Sequence, residues 1–394
     1  MLVTVYFQVH QPLRLRRLRS FEPPQGLDYF DGAKDQQVLD RIADRCYLPA
    51  NATILRALEE HQGRFRVAFS ISGTAVEQMK AHRPDALESF RRLAARDDVE
   101  LLGETYYHSL ASLWPEQDEF AEQARLHAAL MKEEFGRVPR VFRNTELIFD
   151  NRLAGTVQKL GYDAILTEGT ERILGARPPT RVYQSTSGLP VLLKHYRLSD
   201  DVAFRFHDSK WPGWPLTADK FARWLATTPG DVVNLMMDYE TFGEHMWRES
   251  GIFEFLEWMP REALKAGNAF TLPGEAARAL KPTGVLDVPW AISWADAERD
   301  VSAWLGNEMQ QEAFEALRRL RPRVLATHDP DIIRAWRALT TSDHLYYCST
   351  KGLADQSIHA YFSPYDSPYL AFIYLMNALR DLERKVETRL AAPG

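Results

Sequence analysis

One histidine and three acidic residues each stand just after a short apolar run of the chain. They are His10, Glu104, Glu146 and Asp238. Two carboxyl groups that face one sugar can break a glycosidic bond, if one is ionised beside the anomeric carbon and the other is protonated beside the leaving oxygen. Their pKa values must then be driven apart by different surroundings. The residue types therefore indicate glycosidic chemistry.

The sequence neighbours of Glu146 and Asp238 differ in the way that this chemistry requires. Arg143 stands three residues before Glu146, and a guanidinium near a carboxylate favours its ionised form. Asp238 follows two methionines and is close to Glu240. An apolar setting and a second carboxylate both raise the pKa of a carboxyl group. We therefore expect Glu146 to be ionised and Asp238 to donate the proton.

The elements that must position these residues alternate along the chain. Apolar runs predict strands, and helical spacing lies between them, for example over residues 50–61, 84–95 and 116–135. Such alternation predicts parallel strands with crossover helices, and a series of these units predicts a closed or nearly closed barrel. The carboxyl ends of the strands then share one face, where the polar residues should gather. The predicted strands cover residues 2–9, 65–71, 99–102, 141–142, 164–166 and 232–235.

The pattern changes near residue 295. Residues 303–320, 329–339 and 368–390 have helical spacing, and little strand pattern lies between them. We therefore predict two domains: a catalytic barrel over residues 1–290 and an α-helical bundle over residues 291–394.

Composition excludes several classes of partner. The 394 residues are 45% hydrophobic and 26% charged, with a formal net charge of −6, which gives no reason to expect nucleic acid or an anionic membrane. No apolar run approaches 18 residues, and the first residues lack the basic start of a signal peptide. Cys46 and Cys348 are too few and too far apart for a disulfide framework. We expect a cytoplasmic protein that binds neither nucleic acid nor membrane.

Five segments, in order, resemble the conserved segments of glycoside hydrolase family 57, an α-amylase and α-glucanotransferase family. Any one segment is a weak match, and the five together are specific. They are residues 7–12 (FQVHQP), 102–106 (LGETY), 142–147 (FRNTEL), 237–245 (MDYETFGEH) and 298–307 (ERDVSAWLGN).

The resemblance implies a fold, a reaction and two catalytic roles. The fold is an incomplete (β/α)7 barrel. Glu146 matches the family nucleophile and Asp238 the acid/base residue, so an α-1,4-glucan such as starch, glycogen or a maltooligosaccharide would be cleaved through a glycosyl-enzyme with retention of configuration. No cofactor and no metal are expected, and the substrate is the only partner implied.

The same segments supply further candidates for the substrate site. His10 and Glu104 are expected to hydrogen-bond the sugar, and Trp114 and Trp304 either stack on it or merely pack in the core. Glu240 is a sugar ligand, a supporting acid or a helix N-terminal charge. Tyr106, Tyr107 and His108 receive no firm role, and residues 211–215 (WPGWP) form either an aromatic loop over the groove or a surface loop. The complete set of predicted substrate-binding residues is His10, Gln11, Glu104, Trp114, Arg143, Glu240, His245, Asp300 and Trp304.

Three alternatives remain open. A 4-α-glucanotransferase or branching enzyme would use the same catalytic pair. Members of those branches often have histidine at the position of Gln8 and tryptophan at the position of Arg143. The residue types here therefore favour the α-amylase-like branch. A metal-dependent polysaccharide deacetylase would need histidines closely spaced for a metal, which the scattered His10, His108 and His245 do not provide. The third alternative is a non-catalytic glucan-binding protein.

Overall fold

The computed structural model describes residues 1–19, 24–351 and 363–392. The chain divides into two compact units. The first comprises Met1–Gln11, Val38–Tyr106 and Phe120–Trp294, and the second comprises Pro12–Gln37, Tyr107–Glu119 and Ala295–Gly394. The domain boundary at residue 290 stays a prediction.

The first unit is built on a curved parallel sheet. Seven strands run parallel in the order β4-β5-β7-β8-β1-β2-β3, with β6 antiparallel to β7 and two short strands, β9 and β10, beside β1 and β6. The seven curve through 271°, which confirms the predicted incomplete barrel. The strands are β1 Leu2–Val9, β2 Val67–Ile71, β3 Val99–Leu101, β4 Val141–Arg143, β5 Ala164–Glu168, β6 Tyr183–Ser185, β7 Pro190–Lys194, β8 Val232–Asp238, β9 Ala269–Phe270 and β10 Val285–Leu286.

Helices follow most strands, and helices alone form the regular structure after β10 in the described residues. A π-helical turn, Ala43–Tyr47, joins the first two. The helices are α1 Gly32–Ile42, α2 Leu48–His61, α3 Gly73–His82, α4 Pro84–Ala94, α5 Asp118–Phe135, α6 Asn151–Lys159, α7 Glu171–Leu174, α8 Tyr196–Ala203, α9 Ala218–Thr227, α10 Ile252–Lys265, α11 Pro273–Ala279, α12 Ser302–Leu305, α13 Glu308–Ala326, α14 Pro330–Leu339, α15 Ser342–Tyr346 and α16 Pro368–Ala391.

Alternation along the strands separates two apolar cores in the first unit. On β1, Val3, Val5 and Phe7 face one way and join a large cluster with side chains of helices such as α2, α4 and α10. Tyr6 faces the other way and joins a smaller cluster that contains Met236 and other buried side chains of the strands. Because successive side chains of a strand point to opposite faces, the first cluster lies outside the barrel and the second fills its interior.

The second unit contains α12 to α16, the helical region predicted for the C-terminal part. Its side chains make buried polar contacts as well as apolar ones. The Trp336 indole donates to the carbonyl oxygen of Leu317 at 3.0 Å, and Arg337 pairs with the buried Glu119 at 2.8 Å. The predicted bundle helices agree with α13, α14 and α16 to within a few residues at most ends.

Four strands were not predicted: β6, β7, β9 and β10. Each has five residues or fewer, and short apolar runs carry too little periodicity to be told from helix or loop. Among the described residues, no helix combines the length and the apolar character needed to span a bilayer. The cytoplasmic location stays a prediction.

We predict that Gly243→Ala destabilises the fold far more than Gly251→Ala. Both glycines have left-handed backbone, with φ of +112° and +84°. A Cβ at Gly243 would collide with the carbonyl oxygen of Arg45, whereas nothing lies within 4 Å of one at Gly251. Gly251→Ala should cost about 1–2 kcal/mol for its conformation alone, and urea unfolding of both variants measures the difference. Equal losses would contradict the collision.

Candidate active site

The inner face of the barrel changes from apolar to polar at the carboxyl ends of β1, β2 and β8. Tyr6 on β1 pairs with Met236 on β8, and both are buried in the interior cluster. Two residues further along, Gln8 pairs with Asp238 on β8 and with Ser70 on β2. Since residues two apart on a strand share a face, these polar side chains lie directly above the apolar layer. The expected gathering of polar groups at the strand ends therefore occurs here.

Glu104 contacts this polar layer but is itself fully buried. The carboxylate oxygen Oε1 accepts hydrogen bonds from Ser70 Oγ at 2.6 Å and from Gln8 Nε2 at 3.1 Å. The Glu104 backbone N–H donates to Nδ1 of the buried His127 at 3.3 Å. Glu104 is 0% exposed, and its contact with a sugar stays a prediction. Its contacts make it a support for the residues above it.

Glu146 follows β4 in a strained turn. Its φ and ψ are +57° and +25°, and Leu147 also has a left-handed φ of +52°. Two such residues in succession are costly for side chains with a Cβ and persist only where packing enforces them. Leu147 is buried in the interior cluster, and Thr145 exchanges a hydrogen bond of 2.7 Å with Thr105. The turn leaves Glu146 partly exposed, while the three residues before it are buried.

Trp294 holds Glu146 at two points. The indole Nε1 donates to Glu146 Oε2 at 2.7 Å, and the Trp294 backbone N–H donates to the Glu146 carbonyl oxygen at 3.2 Å. Two buried cations flank the indole ring. The Arg143 guanidinium carbon lies 4.9 Å from the ring centroid, and Lys194 Nζ lies 5.3 Å from it.

Arg143 is buried and has an aromatic neighbour. Its side chain is 0% exposed, and none of its three guanidinium nitrogens has a hydrogen-bond partner among the residues that the structure describes. It therefore makes no hydrogen bond to Glu146, and the Trp294 ring is its aromatic contact. Arg143 thus contacts the indole that holds the Glu146 carboxylate. That its charge favours the ionised form of Glu146, and that it binds substrate, stay predictions.

Asp238, at the end of β8, has a second acid beside it. Glu240 is buried, and its Oε1 accepts from the Tyr47 hydroxyl at 2.5 Å and from Gln11 Nε2 at 3.3 Å. Burial raises the pKa of Glu240 to about 8, and the charge of Asp238 adds to the rise. Glu240 is therefore no solvated helix-terminal charge. This pair holds a proton near neutral pH.

Two histidines of the family-like segments are partly buried. His10, directly after β1, places Nδ1 2.7 Å from the Ser72 hydroxyl. The His245 backbone N–H donates to the carbonyl oxygen of Glu240 at 2.9 Å, and burial lowers the pKa of its imidazole to about 4. His245 is therefore neutral at pH 7 and can both donate and accept hydrogen bonds.

Three predicted substrate residues belong to the second unit. Trp114 is 2% exposed and stacks on Trp336 with ring centroids 6.0 Å apart, and Trp304 is 2% exposed beside Tyr346. These environments agree with the packing alternative, since a stacking platform needs an open face. Asp300 accepts hydrogen bonds at the start of α12 from the backbone and hydroxyl groups of Ser302. Contact of these three with a sugar stays a prediction.

The remaining aromatic candidates have structural neighbours of their own. The Tyr106 hydroxyl donates to Glu77 at 2.7 Å. In the 211–215 loop, Trp211 packs edge-on against Trp224 at 5.9 Å, and Trp214 is 49% exposed. Tyr107 and His108 are buried residues of the second unit.

No metal-type cluster was found in the described part of the chain: its residues contain no group of three or more His, Cys, Asp or Glu side chains arranged to hold an ion. That the reaction needs no metal stays a prediction.

Several residues at this site carried no signal in the sequence. Trp294 stands four residues before the fifth family-like segment, Tyr47 lies in a helical stretch, and Lys194 and His127 lie in none of the quoted segments. Each reaches the site by packing over a long sequence separation. The one sequence feature that could have indicated such a residue is Lys194, a lysine at the end of the apolar run Val191–Leu193.

A curved parallel sheet with carboxyl groups at its strand ends is compatible with a barrel enzyme of the glycoside hydrolase class. The family model described as glycosyl hydrolase family 57 matches residues 4–289, and the chain belongs to that family. The resemblance that the five segments indicated is thereby confirmed.

Similar proteins agree with this assignment. A protein of Methanocaldococcus jannaschii named "Putative alpha-amylase" is 44% identical over 403 residues, covering 99% of this chain and 86% of that one. The branching enzyme of this family from Pyrococcus horikoshii has a TM-score of 0.68 at 13% identity, over 98% of this chain and 94% of that chain. The 4-alpha-glucanotransferase of Thermococcus litoralis has a TM-score of 0.62 at 15% identity; the match covers 88% of this chain but 56% of that one.

We predict that Glu240→Gln removes part of the pH dependence of stability. The pKa of Glu240 is about 8 in the folded protein against an ordinary 4.5, so the folded state binds this proton more tightly than the unfolded chain. This stabilisation is complete below pH 4.5 and is lost as the pH rises toward 8, with a slope of about 1.4 kcal/mol per pH unit at most. Urea unfolding at several pH values between 4.5 and 8.5 measures it.

The free energy of unfolding should fall less steeply with pH for Glu240→Gln than for the unaltered chain. The exposed Glu257→Gln on α10 serves as the control and should follow the unaltered chain. Parallel curves for all three proteins would refute the raised pKa.

Proposed function

We propose that this protein is a retaining glycosidase of the α-amylase type that cleaves α-1,4-glucans, with Glu146 as nucleophile and Asp238 as acid/base. One observation carries the proposal. A carboxylate held by an indole N–H stands in a strained turn after β4, and a second carboxyl group beside a buried acid ends β8 on the inner face of the same barrel. These are the two unlike surroundings that the reaction requires.

In the first step, an oxygen of Glu146 forms a bond to the anomeric carbon while the bond to the glycosidic oxygen breaks. Asp238 gives its proton to that oxygen, and the leaving sugar departs as an alcohol. The intermediate is a β-linked glycosyl-enzyme. In the second step, Asp238 takes a proton from water, the water oxygen attacks the same carbon, and Glu146 is released. Two inversions give net retention.

The protonated Glu240 beside Asp238 suits the second half of the acid/base role. An acid/base residue must carry a proton before the first step and lose it before the second. Glu240 keeps its proton to about pH 8 because it is buried near Asp238. A neutral neighbour lets Asp238 ionise during the reaction without a second negative charge beside it. Tyr47 and Gln11 hold Glu240 in place and take no part in bond breaking.

The choice of substrate and of hydrolysis has separate support. The relative from M. jannaschii, which matches 99% of this chain, bears the name of an alpha-amylase. Gln8 and Arg143 replace the histidine and the tryptophan that the transferase branches often carry at these positions. His10 and His245, partly exposed beside the acids, are the proposed ligands of sugar hydroxyl groups.

We expect Glu146→Gln to lower the turnover of maltoheptaose by about four orders of magnitude or more, because the amide cannot act as the nucleophile. The unaltered enzyme should release only oligosaccharides shorter than the substrate, as resolved by chromatography. Glu257→Gln is the matched control and should keep full turnover. Near-normal turnover by clean Glu146→Gln protein would end the nucleophile assignment, and products longer than maltoheptaose would identify a transferase.

Asp238→Asn tests the second role. This variant should fail on glucans, whose leaving alcohol needs a proton, but should still react with α-maltosyl fluoride, whose leaving group does not. The glycosyl-enzyme then accumulates, and azide, which needs no base, attacks it to give the α-azide. Glu146→Gly with the same fluoride should instead give the β-azide by direct displacement. Nuclear magnetic resonance of the products distinguishes them, and the same anomer from both variants would mean that the roles are reversed.

A further inference from the structure

We infer that Trp294 is the positioning residue of the nucleophile and that the buried charge of Arg143 acts on the nucleophile through the Trp294 ring. The inference rests on the proposed role of Glu146. Trp294 lies outside the five family-like segments, and the cations on its ring do not enter the chemistry described so far.

The first line of argument is the way in which Trp294 fixes a strained residue. It donates to Glu146 twice, from the indole to Oε2 at 2.7 Å and from the backbone to the carbonyl oxygen at 3.2 Å. Two residues before it, Ile292 makes a paired bridge with Phe149, with both hydrogen bonds at 3.0 Å. The segment therefore holds the backbone and the carboxylate of Glu146 together, as a left-handed φ of +57° requires.

The second line of argument is the environment of the ring. Arg143 and Lys194 lie 4.9 and 5.3 Å from the ring centroid and are both buried. Lys194 is neutralised by Asp200 at 3.0 Å and by Glu168 at 3.5 Å. The Arg143 guanidinium has no hydrogen-bond partner among the described residues. It is the cation whose charge is not cancelled by a hydrogen-bonded acid, and it packs on the indole whose N–H donates to the carboxylate.

A buried guanidinium without a hydrogen bond is expensive, and packing alone does not require it. A cation against the ring draws electron density from the indole and strengthens the N–H as a donor. A stronger donor to the ionised form lowers the pKa of the carboxyl group that accepts it. Trp294 thus transmits the charge of Arg143 to Glu146 while leaving the carboxylate available to a sugar.

The test compares two variants that break the chain of contacts at different points. Trp294→Phe keeps an aromatic ring between the cations and removes the N–H. Arg143→Met keeps much of the side-chain volume and removes the charge. Both should lower kcat for maltoheptaose, Trp294→Phe by about 100-fold, with little change in KM. In both, the acid limb of the kcat/KM profile should move to higher pH, because Glu146 then ionises less readily.

Two controls separate this effect from general damage. Trp258→Phe alters a 48% exposed tryptophan on α10 and should leave the pH profile unchanged. Arg143→Lys restores a cation and should return the acid limb toward its original position, which lost packing alone would not do. Should Trp294→Phe fail to fold, the Arg143 pair still decides the question. Acid limbs that coincide for Arg143→Met, Arg143→Lys and the unaltered enzyme would overturn the inference.

The outcome is distinguishable from failure of the proposed function. If Glu146→Gln retains turnover, Glu146 is not the nucleophile and the proposal itself falls. If Glu146→Gln is inactive while Trp294→Phe keeps both kcat and its pH profile, the nucleophile assignment stands and the positioning role of Trp294 falls.

Discussion

Side chains along a β-strand alternate between its two faces, and this alternation governs the arrangement of the site. On β1, Tyr6 closes the apolar interior, and Gln8 stands one step beyond it on the same face. On β8, which pairs with β1, the same change from an apolar to a polar side chain occurs between Met236 and Asp238. A shift of one residue in either strand would turn the polar side chain outward and bury it against helices. The site therefore depends on apolar side chains below it that fix the register.

The acids of this region have different surroundings because their burial differs. Glu104 is fully buried and accepts hydrogen bonds from Ser70 and Gln8, as a buried polar group requires. Glu240 is also buried, but beside a second acid, so its pKa rises to about 8. Glu146 and Asp238 alone among these four are partly exposed. The two partly exposed carboxyl groups are the ones to which we assign the proposed chemistry.

Local pattern predicted much of this arrangement. The strands that end at His10, Glu104 and Glu146 were recognisable because an apolar run followed by polar residues is visible in the sequence alone. The burial of Glu104 was not predictable, because its hydrogen-bond donors Ser70 and Gln8 lie on other strands. The same limit applies to tryptophans. Aromatic character marks a residue as useful for stacking and for cores alike, and only the structure shows that Trp114 and Trp304 are buried.

The contacts that separate the two proposed roles come from segments distant in sequence. Trp294 reaches Glu146 across 148 positions, and Tyr47 reaches Glu240 across 193. The first contact donates a hydrogen bond to a carboxylate and favours its charge. The second holds a buried acid whose proton stays near Asp238. A pair of carboxyl groups at strand ends is symmetric in residue type, and its asymmetry arises from what packs against each one. Because that packing is set by the whole first unit, the proposed difference in acidity between Glu146 and Asp238 depends on the fold and not on the motifs alone.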